Sequence, residues 1–178
     1  MAKIIGLLGP SASGKTAIVN QLLNLDDAFE RVKTTTTRKI REGEDPEAYN
    51  FINKDEFMEK AEKDFFFETS EYAGEYYGTP ISSIKNIVGN GKIAIVPIDI
   101  NGIKSYKERF GEEFVSIFIY RNREDVLNAL LERKLTEAEK TKRILSLDEE
   151  YSNIRFCDYA IVNNTTVDDA VRKIKKII

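Results

Sequence analysis

The chain has 178 residues, 42% of them hydrophobic, and a formal net charge of −3. That length and apolar content predict one compact unit with room for a small inserted lobe. The absence of histidine and the single cysteine, Cys157, exclude Ser-His-Asp and Cys-His catalysis, His-ligated metals, a thiolate-rich zinc site and an internal disulfide.

The predicted elements begin with a strand at about Lys3 to Leu8. Gly9-Pro10-Ser11-Ala12-Ser13-Gly14-Lys15-Thr16 follows and fits G-x-x-x-x-G-K-[ST], with a helix from Lys15 to about Asn24 behind it. Strand, glycine loop and helix in that order make a phosphate cradle: several backbone N–H groups turn toward one anion and the helix adds its positive end. Lys15 is placed to reach β- and γ-phosphates, and the Thr16 hydroxyl to sit on Mg²⁺.

From about Val32 to Val88 the composition changes to short segments rich in Thr, Tyr, Phe and charge, with a turn at Glu44-Asp45-Pro46. This stretch is read as an inserted lobe of short strands and small helices. A basic run that begins just before it holds Arg31, Lys33, Arg38, Lys39 and Arg41, and acids flank the run on both sides. A local cationic patch in an acidic protein suits a small anionic ligand better than nucleic acid. Arg38 and Arg41 can each grip a phosphate with paired hydrogen bonds, and Tyr49 and Tyr77 add phenolic donors.

Ile93 to Ile98 reads as a buried parallel strand ended by Asp99, and Asn101 to Phe110 as a helix. A strand at Phe114 to Ile119 and a helix at Glu124 to Glu132 come next. The charged stretch from Arg133 to Arg143 is a candidate mobile flap, and a further helix runs to about Ile154. Tyr159 to Val162 is the last strand. The closing helix starts at Thr166, with Asp169 three residues on.

Alternating strands and helices predict an α/β fold, three layers (α/β/α) about a central parallel sheet, with ligands beyond the carboxyl ends of the strands. The expected division is a core at 1–32 and 90–178, an insertion at 33–89 and a lid at about 133–143. No apolar run reaches membrane-spanning length and no secretion signal is evident, so the expected site of action is the cytoplasm.

Several motifs, in order along the chain, resemble the guanylate kinase family. They are Thr36-Thr37-Arg38 with Arg41, Gly43-Glu44, Tyr49 and Phe51; Phe67-Glu68; Tyr72-Ala73-Gly74-Glu75-Tyr76-Tyr77-Gly78-Thr79; Ile98-Asp99-Ile100-Asn101-Gly102; and Ala160-Ile161-Val162-Asn163-Asn164. The resemblance implies phosphoryl transfer from ATP to GMP, and to dGMP, with Mg²⁺ on Thr16. It implies that Arg38, Arg41, Tyr49 and Tyr77 hold the GMP phosphate, that Thr34, Glu68 and Thr79 read guanine, and that Asp99 lies near the acceptor nucleotide. Gly9 to Thr16 and Asn163 would serve ATP, and Lys15, Arg38, Arg41 and Arg143 the transfer itself. The chemistry fits independently: guanine presents N1–H and a 2-amino group side by side, and one carboxylate can accept from both.

The chain departs from the family pattern at Pro97, where an acid is usual, at Arg121-Asn122, where a Pro-Pro pair is usual, and at Ile40, where proline is common. Leu130 stands where an arginine is expected, with Arg133 or Lys134 as compensating cations. The turn between Glu44 and Tyr49 is shorter than usual and lacks its glycine. Three other readings stay open: a nucleoside monophosphate kinase of another base preference, a non-catalytic protein-binding module, and a nucleotide switch.

Overall fold

Five consecutive apolar or small residues, Ile4–Leu8, are all buried, because this strand is covered on both faces. The structure is a computed structural model and describes residues 3–40, 42–72 and 74–178. In chain order the first elements are β1 (Ile4–Leu8), α1 (Lys15–Leu25), β2 (Phe29–Arg31), β3 (Thr34–Thr36) and β4 (Tyr49–Phe51). Next come α2 (Lys54–Glu62), β5 (Phe66–Tyr72), β6 (Glu75–Pro80), α3 (Ile81–Gly89), β7 (Ile93–Pro97), α4 (Ile100–Phe110) and β8 (Phe114–Tyr120). The chain ends with α5 (Arg123–Glu132), α6 (Glu137–Leu145), α7 (Leu147–Ser152), β9 (Tyr159–Val162) and α8 (Val167–Ile174).

The main sheet runs β2-β7-β1-β8-β9 and every pairing in it is parallel. Side chains alternate along β1. Ile5 and Leu7 join Ile18, Val19 and Leu22 of α1 and Ala170, Val171 and Ile174 of α8. Ile4 and Leu8 join Ile84 and Ile87 of α3 and Ile103 and Tyr106 of α4 on the opposite face. The result is the predicted α/β/α sandwich. Thr166 caps α8 by accepting from Asp169 N–H, as its sequence pattern implies. Among the described residues no helix is long and apolar enough to cross a membrane.

A second sheet runs β4-β3-β6-β5, with β3 and β4 parallel and the other pairs antiparallel. Phe57 of α2 is buried and stacks on Phe66 at 4.7 Å between ring centroids. Threonines stitch β3 to β6: Thr36 Oγ1 donates to Tyr76 O at 2.9 Å, and Thr37 Oγ1 donates to Glu75 Oε2 at 2.7 Å.

The charged segment expected as a flap carries α6. Thr136 and Glu139 form a reciprocal capping box at its start, so the N-terminus of a polar helix is satisfied locally. Leu130 is fully buried with Val126 and Leu147, and Ala12 packs against this cluster. Its place is the apolar floor beneath the glycine loop.

Candidate active site

Gly9 to Thr16 bridge β1 and α1. Gly9 and Gly14 have φ of +147° and +97°, and Ala12 has φ +68°. A Cβ on Gly9 would stand 2.4 Å from the Ile119 carbonyl oxygen, and one on Gly14 2.4 Å from Asn163 Nδ2. Backbone conformation favours glycine at both positions, and at Gly9 the Ile119 backbone also leaves no room for a Cβ. Lys15 Nζ donates to the carbonyls of Gly9 at 2.6 Å and Pro10 at 3.0 Å, so the ammonium arches over the loop. Asn163 Nδ2 donates to Ser13 O at 2.9 Å, which makes Asn163 a brace behind the loop.

Three arginines converge on the same loop. Arg121 Nη1 donates to Ala12 O at 3.1 Å, Arg133 Nη1 to Ser11 Oγ at 3.2 Å and Arg143 Nη1 to Ser11 Oγ at 3.1 Å. Arg143 is buried, and its Nε has no hydrogen-bond partner among the described residues. Of the two cations named as compensating for Leu130, Arg133 reaches the loop. Lys134 instead pairs with Glu42 at 2.5 Å on the surface.

The second cationic centre is Arg38. Its guanidinium meets Glu44 in a two-pronged pair at 2.9 and 2.8 Å and donates to Lys39 O at 2.7 Å. Burial opposes its charge, but the Glu44 hydrogen bond and charge outweigh that and hold it above the ordinary arginine value. Tyr49 and Phe51 lie under the guanidinium at 5.4 and 5.6 Å. Its predicted companion Arg41 lies outside the described residues.

Glu68 on β5 receives a hydrogen bond from Thr79 Oγ1 at 2.8 Å. Burial, with a smaller push from the Asp99 charge, raises its carboxyl to about 7; the Thr79 bond pulls the other way. Asp99 Oδ1 accepts from Gly102 N–H at 2.8 Å and so caps α4. Thr34 is buried at the start of β3.

One cavity of about 850 Å³ joins these groups. Lys15, Thr16 and Arg143 line one part of its wall, and Thr34, Arg38, Tyr49, Glu68, Tyr77, Thr79 and Asp99 line the rest. The three-layer core supplies the first set, and the second sheet and the start of α4 supply the other.

Sequence reasoning missed Glu150. Its carboxylate accepts from Ser11 N–H at 3.0 Å, Tyr72 OH at 2.8 Å and Ser146 Oγ at 2.7 Å. One side chain thus ties the glycine loop to β5 and to the junction of α6 and α7. It sits in an acidic run, Asp148-Glu149-Glu150, that reads as solvated helix surface, and its partners are distant in sequence. Hydrogen bonds to a charged group contribute about 1.5–3 kcal/mol. Glu150→Ala is therefore expected to lower Tm by about 3–12 °C in thermal unfolding, at the 2–4 °C per kcal/mol usual for a chain of this size. An unchanged Tm would show that the three contacts contribute nothing net.

The guanylate kinase family profile matches residues 1–178. A guanylate kinase of Prochlorococcus marinus (strain MIT 9312) is 35% identical over 179 residues, covering 99% of this chain and 96% of the relative. One of Clostridium tetani is 34% identical over 177 residues, covering 98% of this chain and 84% of the relative. The crystal structure of guanylate kinase from Anaplasma phagocytophilum superposes with a TM-score of 0.76 at 24% identity, covering 99% of this chain and 83% of that one, which supports the fold. With the profile spanning every residue and relatives above 30% identity spanning nearly all of them, the chain belongs to the guanylate kinase family.

Proposed function

We propose that this protein transfers the γ-phosphoryl group of ATP to GMP, and to dGMP, giving ADP and the corresponding diphosphate. The observation that carries this reading is that Lys15 and Glu68 line one continuous cavity. A hydrolase or a switch needs a phosphate cradle alone. A transferase needs a second cationic pocket facing it, and Arg38 with Tyr49 and Tyr77 supplies one.

In this reading the loop amides and Lys15 hold the β- and γ-phosphates of ATP. Arg38, Arg41, Tyr49 and Tyr77 hold the GMP phosphate. Glu68 accepts from guanine N1–H and the 2-amino group, with Thr34, Thr79 and Asp99 around the base. Adenine would turn the N1 lone pair toward the carboxylate and lose both bonds. A site built on such paired groups rejects an analogue by up to roughly 10⁴–10⁵.

The acceptor atom is a phosphate oxygen already ionised at neutral pH, so no strong base is required. The protein's task is to align two mutually repelling anions and exclude water. Arg38 and Arg41 offset charge on the acceptor side, and Lys15, Arg133 and Arg143 on the donor side. The segment at about 133–143 acts as the lid over the core at 1–32 and 90–178, and 33–89 as the acceptor-binding lobe. Closure of the lid keeps water from ATP. The protein works in the cytoplasm, where its nucleotides are found.

The family generally uses Mg-ATP. Among the described residues no group of three or more acidic, His or Cys side chains is poised to hold a metal ion. Thr16 lines the cavity beside Lys15, with Ser11 and Ser13 of the same loop. That sparse hard-oxygen donor set fits Mg²⁺, which keeps several waters and takes phosphate oxygens of its substrate. Thr16 would hold the ion, which when bound neutralises charge on the β- and γ-phosphates.

A coupled assay of ADP formation with GMP, dGMP, AMP, CMP and UMP tests the assignment. GMP and dGMP are expected to exceed the others in kcat/KM by at least about 10³-fold, within the range such paired contacts provide. A best rate with AMP would overturn the guanine reading, and no turnover with any acceptor would overturn the transferase.

A further inference from the structure

Tyr106 lies on α4 with its ring fully buried against Phe67, Phe110 and Phe114, at 4.9, 5.6 and 5.2 Å between centroids. A phenol so placed needs a hydrogen-bond partner. Its OH stands 3.2 Å from Thr79 Oγ1, and Thr79 Oγ1 stands 2.8 Å from Glu68 Oε1. Three side chains from α4, β6 and β5 therefore form one buried relay that ends at the guanine-reading carboxylate.

The direction of the relay follows from proton inventory. An ionised carboxylate only accepts, and a threonine hydroxyl has a single proton. Thr79 must spend that proton on Glu68, so its oxygen accepts from Tyr106. We propose that Tyr106 is a specificity-determining positioning residue: its hydroxyl commits the Thr79 proton to Glu68 and thereby favours the ionised carboxylate and aims it at a guanine edge. This rests on the reading of Glu68 as the guanine contact. A corollary is that Thr79 has no proton to give to the guanine O6, which leaves that contact to another hydroxyl of the wall, such as that of Thr34.

Reversal of the relay is disfavoured. A protonated Glu68 could donate to Thr79 and Thr79 to Tyr106, but the Tyr106 proton would then face aromatic carbon. The titratable groups acting on Glu68 come from α4 and its start, namely Tyr106 and Asp99, with Asp99 opposing its ionisation. From β6 and β3 the neighbouring wall residues Thr79 and Thr34 do not titrate.

The test is GMP binding by calorimetry, without ATP or Mg²⁺, from pH 6 to 8.5. Tyr106→Phe keeps the ring and removes the donor. It is expected to weaken GMP binding at pH 8 by about threefold to tenfold, the range carried by one buried hydrogen bond. It should also move the acid limb of binding to higher pH by about half a unit, since the relay favours ionised Glu68. The GMP phosphate titrates near pH ~6 in every variant, so the readout is the difference from wild type. In turnover the loss should appear in KM for GMP, not in kcat.

Thr79→Val removes the middle hydroxyl and should shift the limb in the same direction. The double variant should match Thr79→Val alone, because Tyr106 acts only through Thr79. A Tyr106→Phe variant with wild-type affinity and an unmoved limb, beside a Glu68→Gln variant that loses GMP, would overturn the proposal and leave Tyr106 as packing. Additive losses in the double variant would overturn it as well. Wild-type GMP binding by Glu68→Gln would overturn the guanine contact itself, and the proposal with it.

Discussion

Lys15→Ala is expected to reduce kcat by about 10²–10³-fold, the usual cost of removing one preorganised charge from a transition state, while the Kd for GMP stays within about twofold of wild type. Lys15 Nζ stands over the glycine loop on the carbonyls of Gly9 and Pro10. Arg38, the proposed acceptor cation, is held separately by Glu44 in the segment between β3 and β4. In the proposed reading the two charges serve different phosphates, so loss of one should leave the other pocket able to bind. Calorimetry with GMP and steady-state kinetics on one preparation check this. Parallel loss of GMP affinity and kcat would contradict the division between the two pockets.

Glu68→Gln is expected to lower kcat/KM for GMP by about 10²–10⁴-fold. The amide would turn an N–H₂ group toward guanine donors and leave one of them unpaired. The same amide can donate to adenine N1, so the preference for GMP over AMP should narrow from both sides. The variant also carries a stability signature. The wild-type carboxyl is raised from an ordinary 4.5 to about 7, chiefly by burial. The folded protein therefore keeps that proton where the unfolded chain has already lost it. The stabilising contribution is complete below about pH 4.5 and is lost as pH rises through about 7. The upper bound on this loss, for a group facing a solvated cavity, is on the order of 3 kcal/mol. Without ligand, Glu68→Gln should gain in Tm relative to wild type from pH 4.5 to 7 and hold that gain above it. A Tm difference independent of pH would remove burial of the charge as the reason.

The glycine loop was legible because its geometry is local. Gly9, Gly14, Lys15 and Thr16 lie within eight residues, and backbone conformation dictates the glycines. The alternation of strands and helices likewise announced the parallel sheet. In the rest of the cavity wall, Arg38 stood out by charge, whereas Glu68 was marked only by the family motifs around it. The structure then gave it burial, Thr79 and Asp99 as causes for a raised carboxyl. Glu150 and Tyr106 were illegible for a common reason: their chemistry depends on partners brought together by folding, Ser11 and Tyr72 in one case and Thr79 in the other. Leu130 was legible as a departure but not as a reason; only packing shows it as a floor under Ala12. The cap of α6 was readable, since Thr136 and Glu139 have capping-box spacing, yet the density of charge masked it.

The most direct measurement uses adenosine and guanosine joined through five phosphates, titrated into the protein by calorimetry. If donor and acceptor pockets face each other across one cavity, a single molecule binds per chain, at least about 10²-fold more tightly than GMP alone because the second contact is intramolecular, and both ATP and GMP compete with it. Two molecules per chain, or displacement by only one of the two nucleotides, would contradict the account.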